Sequence, residues 1–228
     1  MKSSPRTPHN LGWIETILDK HHIDYIWKRV KEHQHDTKGN LAGNIKESFA
    51  LTDPDGWFFT NVLRHHIDFY LKSFGEYPIR DYVHGGVELH LKDWWVNYQY
   101  KHEFNPYHHH GGVYSFVIWL KIPTHWKDQL ELPFLEGVKE EDKKASNFEF
   151  EYTDIQGGIR NFGYRLDPSR EGYMLFFPAA LKHTVYPFFN CDEARISVAG
   201  NLWLKSVEMP DGLDPNQLNI KMKSPTNP

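Results

Sequence analysis

Three consecutive histidines, His108, His109 and His110, end the stretch "EFNPYHHHGG", which runs through two glycines into the apolar segment "VYSFVIWL". A neutral imidazole offers a lone pair to a transition metal, so a His-x-His pair can grip one ion with two nitrogens. In an extended backbone successive side chains alternate between faces, which puts His108 and His110 on one side and His109 on the other. Gly111 and Gly112 keep the adjoining backbone small enough for a further ligand to approach. Solvated histidines at a strand edge are the competing reading, and the triplet alone leaves both open.

A second stretch favours the metal. "GYMLFFPAALKHTVYPF" reads as a strand over residues 173–177, a turn at Pro178 and then His183. A third imidazole delivered from a turn completes a facial set of three ligands and leaves the other side of the ion for substrate and oxygen. A third stretch, "ARISVAGNLWL", alternates so that Arg195, Ser197, Ala199 and Asn201 share one face. Arginine beside serine makes a clamp for a carboxylate, two parallel hydrogen bonds coming from the planar guanidinium and a third from the hydroxyl. Alone, Arg195 would suit a surface salt bridge equally well. Asn97 and Gln99, on one face of "WVNYQYK", are candidates to line the same pocket or, alternatively, polar positions on an outer sheet face.

These residues need a scaffold, and the chain supplies signals for one. After Pro78 a helical period gives way to short apolar runs punctuated by glycine and proline, the pattern of an antiparallel all-β unit. Strands are expected at 86–91, 94–101, 113–122, 147–152, 159–166, 172–177, 183–188 and 194–205. Eight short strands suit a double-sheet jelly roll, so the fold class is mainly β. Ahead of it, residues 1–78 read as a helical elaboration. An amphipathic helix or a broken pair covers 13–30, and a second helix follows "TDPDGWFF", with Asp53 as cap and Pro54 in its first turn. The β core is assigned to 79–205, the charged segment 124–146 to a solvated excursion, and the polar, proline-rich residues 206–228 to a loosely ordered tail.

Composition narrows the function. The 228 residues are enough for one domain with a sizeable core. Charge is nearly balanced, 26 Lys and Arg against 30 Asp and Glu, which disfavours binding to a nucleic-acid backbone or an anionic membrane. One cysteine, Cys191, forms no internal disulfide, and the first ten residues lack the apolar core of a signal peptide, so a cytoplasmic protein is expected. Of the 15 histidines most cannot be ligands; His21, His22, His65 and His66 lie in helical patterns and read as solvated or hydrogen-bonded.

Taken together, "EFNPYHHHGGVYSFVIWLKIP", "GYMLFFPAALKHTVYPF" and "ARISVAGN" resemble the 2-oxoglutarate/Fe(II)-dependent oxygenases, in particular a group found in bacteria and carried by marine phages. The likeness extends upstream to "WWVNYQYK" and "NLAGNIKESF". It implies a double-stranded β-helix holding Fe(II) at its open end, with 2-oxoglutarate and O2 as co-substrates and a hydroxylated product. By the same resemblance His108, His110 and His183 are the metal ligands, and Arg195 with Ser197 receives the far carboxylate of 2-oxoglutarate. The chain departs from the wider superfamily at His110, where most members carry an aspartate or glutamate. Three neutral imidazoles leave the site one unit more positive. A carboxylate such as Glu103 could reach in instead, His110 could stand behind the ligands, or His110 and Gly112 could occupy the motif places; the three-histidine set ranks first.

A cupin-type metal enzyme is the nearest rival, but the glutamate expected four or so residues after His-x-His is replaced here by Tyr114 and Ser115. A metal-free jelly-roll binding module is the rival from another class. The prime substrate, a small molecule or a peptidyl side chain, is not encoded in any motif, and neither is the oligomeric state.

Overall fold

A computed structural model describes residues 3–5, 10–32, 35–36, 44–75 and 87–206. The expected tail lies outside the described residues, save Ser206, and so do parts of the N-terminal segment.

Two antiparallel sheets face each other. The larger contains β1 (Ile14–Ile17), β9 (Tyr173–Pro178), β6 (Tyr114–Lys121), β11 (Arg195–Ser206), β4 (Val87–Gln99), β3 (Glu47–Ala50) and β2 (His35–Asp36), in that order. The smaller runs β5 (Asn105–His108), β10 (Lys182–Val185), β7 (Phe148–Thr153), β8 (Ile159–Tyr164). With β9-β6-β11-β4 opposite β5-β10-β7-β8, the core is a jelly roll of four strands per layer, as the alternation and turn signals predict.

The eight expected strands differ from those formed in two ways. The segments 86–91 and 94–101 are one strand, β4. On β11, Asn201 pairs with Asp93 and Leu202 with Leu91, so Lys92 is an extra residue bulged out of the ladder. The eighth strand of the core is instead β5, four residues long, which no alternating pattern announces because a proline interrupts it.

The N-terminal segment also differs from a purely helical elaboration. Helix α1 (Lys20–Lys31) is preceded by β1, which pairs with β9, while β3 pairs with β4. A π-helical turn over Phe59–Leu63 leads into α2 (Arg64–Phe74). Asp53 caps this unit, its carboxylate accepting from the backbone N–H of Phe58 and Phe59 at 3.0 and 2.9 Å. Pro54 lies in the preceding turn rather than in the helix. Gly75, at φ 82°, ends it, a conformation glycine adopts without steric penalty.

Strand alternation sorts the large sheet into two faces. Tyr114, Phe116, Ile118, Met174, Phe176 and Val198 pack with Ile26, Val30, Val62 and Tyr70 of the helical layer. Val117, Trp119, Leu175 and Phe177 meet Phe148, Phe150 and Tyr164 of the small sheet. Both faces of β6 are therefore buried, which is why its sequence is a continuous apolar run. The excursion after β6 contains short helical pieces, α3 (Trp126–Leu130) among them, and leaves Phe134 and Val138 exposed. Among the described residues no helix is long and apolar enough to cross a membrane.

Candidate metal centre

The open end of the jelly roll holds a cavity of about 530 Å³, lined by His108, His110 and His183 among others. His108 ends β5 and pairs directly with His183 of β10, the two rings 4.3 Å apart by centroid. His110 completes a near-equilateral triangle, 5.0 Å from each. One ligand atom from each of the three lies within 4.8 Å of the others.

The expected strand parity does not by itself deliver His110. Strand β5 stops at His108, so His110 arrives on the turn beyond it, pinned by its backbone N–H to the carbonyl of Ala179 at 2.9 Å. That turn needs both glycines. A Cβ on Gly111 would meet the Trp203 ring at 2.9 Å, and one on Gly112, at φ +98°, would meet the Leu202 carbonyl at 2.6 Å. His109 is exposed at the cavity's rim and stands outside the cluster.

Hydrogen bonding sets the tautomers. Nδ1 of His108 faces the Pro106 carbonyl at 2.7 Å, and Nδ1 of His183 faces the Leu181 carbonyl at 3.0 Å. A carbonyl can only accept, so both Nδ1 atoms carry the proton and both Nε2 atoms keep a lone pair, the arrangement that orients a metal-ligating imidazole. Burial pushes His183 well below the ordinary imidazole range, and the neighbouring His108 and His110 add to the effect. His110 is lowered to about 4, first by burial and then by His108 and His109. Near neutral pH all three are uncharged. Three neutral nitrogen donors with free lone pairs fit a divalent transition metal, so the donor set matches Fe(II) in type and number.

The other expected site residues divide. Ser197 and Asn97 line the cavity, facing each other across β11 and β4. The buried Oδ1 of Asn97 has no hydrogen-bond partner, and neither has that of Asn105, which also lines the cavity. Orphaned buried acceptors of this kind mark places where a ligand or water donates.

Arg195 and Gln99 correct the expectation of an open carboxylate clamp. Neither lines the cavity. Arg195 is 1% exposed, and all five of its N–H groups are given to the protein. Nε and Nη2 donate to Gln99 Oε1 at 3.0 and 2.7 Å, Nη1 to the Ser146 carbonyl and hydroxyl, and Nη2 also to the Tyr186 carbonyl. Gln99 in turn donates to the carbonyls of Glu103 and Tyr186. Every acceptor on the guanidinium is neutral, and burial lowers its pKa to about 9. A buried cation without a counter-charge is costly, and its electrostatic demand is for an anion.

Glu103 does not reach the metal cluster. Its Oε2 accepts from the Tyr100 N–H at 3.0 Å. A second group, Asp19, His21 and His22, also brings its ligand atoms within 4.8 Å. It sits at the N-terminus of α1, where the helix dipole opposes a cation, and its members are mostly exposed. His66, by contrast, is a buried structural histidine, bonded to the Val62 carbonyl and the Thr16 hydroxyl. Sequence reasoning missed Asp93, Trp95 and Asn105 in the cavity wall. Two of them were within reach, since Asp93 and Trp95 share the inward parity of Asn97 and Gln99.

Residues 93–201 match a protein-family model described as "Putative 2OG-Fe(II) oxygenase". The matched residues, a little under half of the chain, make up most of the β core and carry that family's pattern. The match begins at the cavity-lining Asp93 and ends at Asn201, taking in all three histidines. The protein is accordingly a 2-oxoglutarate- and Fe(II)-dependent oxygenase that uses O2. Among solved structures, the chain is similar to a 2OG-Fe(II) oxygenase family oxidoreductase from Burkholderia pseudomallei, at 13% identity over 84% of this chain and 85% of that one, with TM-score 0.52. A viral collagen prolyl hydroxylase of Paramecium Bursaria Chlorella virus-1, in complex with 2-oxoglutarate, matches at 11% identity over 86% and 96%, TM-score 0.48. A Pseudomonas putida prolyl-4-hydroxylase matches at 14% identity over 87% and 94%, also at 0.48. At such identities the likeness to the Burkholderia protein shows the fold alone. No curated protein matches the chain.

Proposed function

We propose that His108, His110 and His183 hold the Fe(II) of this oxygenase and that the reaction hydroxylates a small-molecule or peptidyl substrate. Fe(II), 2-oxoglutarate and O2 together supply the oxidative decarboxylation of the co-substrate to succinate and CO2, coupled to oxidation of a substrate C–H bond. The observation that carries the reading is the triangle of neutral imidazoles, two of them locked with Nε2 free.

The chain's own residues bind, orient and exclude water. Phe148, Phe150 and Phe177 pack around the His183 ring, fixing its orientation and drying that side of the centre. Ser197 and Asn97 offer the first polar contacts for the far carboxylate of 2-oxoglutarate. Arg195 is the next residue on the same face, two residues along the strand from Ser197, where its uncompensated charge attracts that carboxylate. For the carboxylate to reach the guanidinium it takes the acceptor position that Gln99 Oε1 fills, so the Arg195–Gln99 pair is the part of the site that must rearrange. A reducing, cytoplasmic setting suits the single cysteine and the Fe(II) state.

The direct test is anaerobic titration of the purified protein with Fe(II) and then 2-oxoglutarate, which should produce a weak visible charge-transfer band. Admitting O2 should release succinate. A protein that binds neither tightly would be the metal-free binding module instead.

A further inference from the structure

We propose that Asp93 is an outer-sphere carboxylate of the metal centre, held beside the imidazoles by Trp203 and Asn201 to supply the negative charge that the three-histidine set lacks. The inference rests on the metal-centre reading above and concerns a residue outside the ligand triangle.

A His-His-carboxylate set neutralises one unit of a divalent ion's charge, whereas three imidazoles neutralise none. Among the described residues that line the cavity, Asp93 is the one carboxylate. Its presence there follows from the sheet. It lies opposite Asn201, beside the Lys92 bulge, on the inward parity shared by Trp95 and Asn97. Its Oδ2 accepts from the Trp203 indole N–H at 3.0 Å and from the Asn201 amide at 3.4 Å, and Asn201 is itself fixed by the Ser115 hydroxyl at 2.7 Å. No donor among the described residues reaches Oδ1.

The same indole ties this carboxylate to the metal-binding turn. Trp203 packs under both glycines of the turn that carries His110: a Cβ on Gly111 would meet its ring at 2.9 Å, and one on Gly112 would lie 3.2 Å from its indole nitrogen. Asp93 is near enough for its charge to act on the His110 ring. Lys92, the adjacent cation, does not cancel that charge through an ion pair among the described residues. Its ammonium sits 4.1 Å over the Trp203 ring instead. Asp93 therefore has the features of a group that tunes a metal site from behind its ligands, in a position fixed by hydrogen bonds and with its charge uncompensated.

The test compares Fe(II) affinity, measured anaerobically by titration, in the wild type, Asp93→Asn, Trp203→Phe and His183→Ala. Asp93→Asn keeps the shape and an oxygen acceptor but removes the charge. It should weaken Fe(II) binding by roughly 10- to 100-fold, the usual range for a partner behind the ligands, while the metal-free protein melts within about 2 °C of wild type. Trp203→Phe keeps the charge but frees the carboxylate, and should weaken binding by a smaller factor. Should Asp93→Asn fail to fold, the Trp203→Phe affinity decides, and no loss there overturns the proposal. If Asp93→Asn binds Fe(II) within about twofold of wild type while His183→Ala binds none, the role of Asp93 is overturned and the metal centre stands. If the wild type binds no Fe(II), the metal-centre reading itself fails and this inference fails with it.

Discussion

The two ends of the cavity are built in opposite ways. At the histidine end the donors are free, because Nε2 of His108 and of His183 has no hydrogen-bond partner among the described residues and the rings already converge. At the arginine end every donor is taken, the guanidinium being enclosed by Gln99, Ser146 and Tyr186. A metal can bind the first end without rearrangement. An anion can reach the second only by exchanging one hydrogen-bond acceptor for another. Burial acts on both with the same sign, favouring the neutral form, but with different results: it readies imidazoles for a metal and leaves a guanidinium short of a counter-charge.

That contrast can be broken at either end. The largest effect is expected for His183→Ala, which removes one of three ligands. Fe(II) affinity measured by anaerobic titration should fall at least about 100-fold, whereas His109→Ala should stay within about twofold. Equal losses for the two variants would show that the triangle is not the binding unit.

Next is Arg195→Leu. It leaves the acceptors of Gln99, Ser146 and Tyr186 without their donor in a buried site, so equilibrium unfolding should show a loss of roughly 3–5 kcal/mol, along with loss of 2-oxoglutarate binding. A fully stable variant would mean that the hub is not structural.

Gln99→Ala separates the two roles of the arginine. Removing the neutral competitor should cost about 1–2 kcal/mol of stability yet tighten 2-oxoglutarate binding several-fold, read from the charge-transfer titration. Weaker binding of the co-substrate would instead make Gln99 part of its subsite.

The smallest effect concerns pH. His110 titrates near 4 in the folded chain because of burial first and its histidine neighbours second, against the ordinary 6.5 when unfolded. As pH falls below about 6.5 the unfolded chain takes up protons that the folded cluster refuses, so stability present at neutral pH is lost on the way down to about 4. His183 and the buried His66 are lowered too and act in the same direction. Denaturant melts of the metal-free protein at pH 7.5, 6 and 5 should fall in that order, and His110→Asn should flatten part of the slope. Constant stability over this range would contradict a neutral cluster.

Much of this architecture was legible in the chain. The short continuous apolar runs "YSFVIWLK" and "YMLFFP", bounded by glycine and proline, gave the central strands, because a strand buried on both faces needs apolar side chains at every position. Asp53 and Gly75 bounded the second helical unit through local backbone chemistry. What was not legible depended on pairing. Strand β1 lies in a segment with helical spacing and becomes extended because β9 offers it an edge. The bulge at Lys92 exists only against the register of β11, and it merges two expected strands into one.

The same division runs through the site. By itself the sequence determined the donor types, the order His108, His110, His183, Arg195 and the shared face of Arg195, Ser197 and Asn201, because residue chemistry and strand period are local properties. Only the tertiary structure decided that His183 sits directly across from His108, that His110 reaches the cluster on a turn seated over Trp203, and that Arg195 is enclosed by Gln99. Those outcomes depend on contacts between residues far apart in the chain, and no local pattern encodes which distant acceptor a buried donor will find.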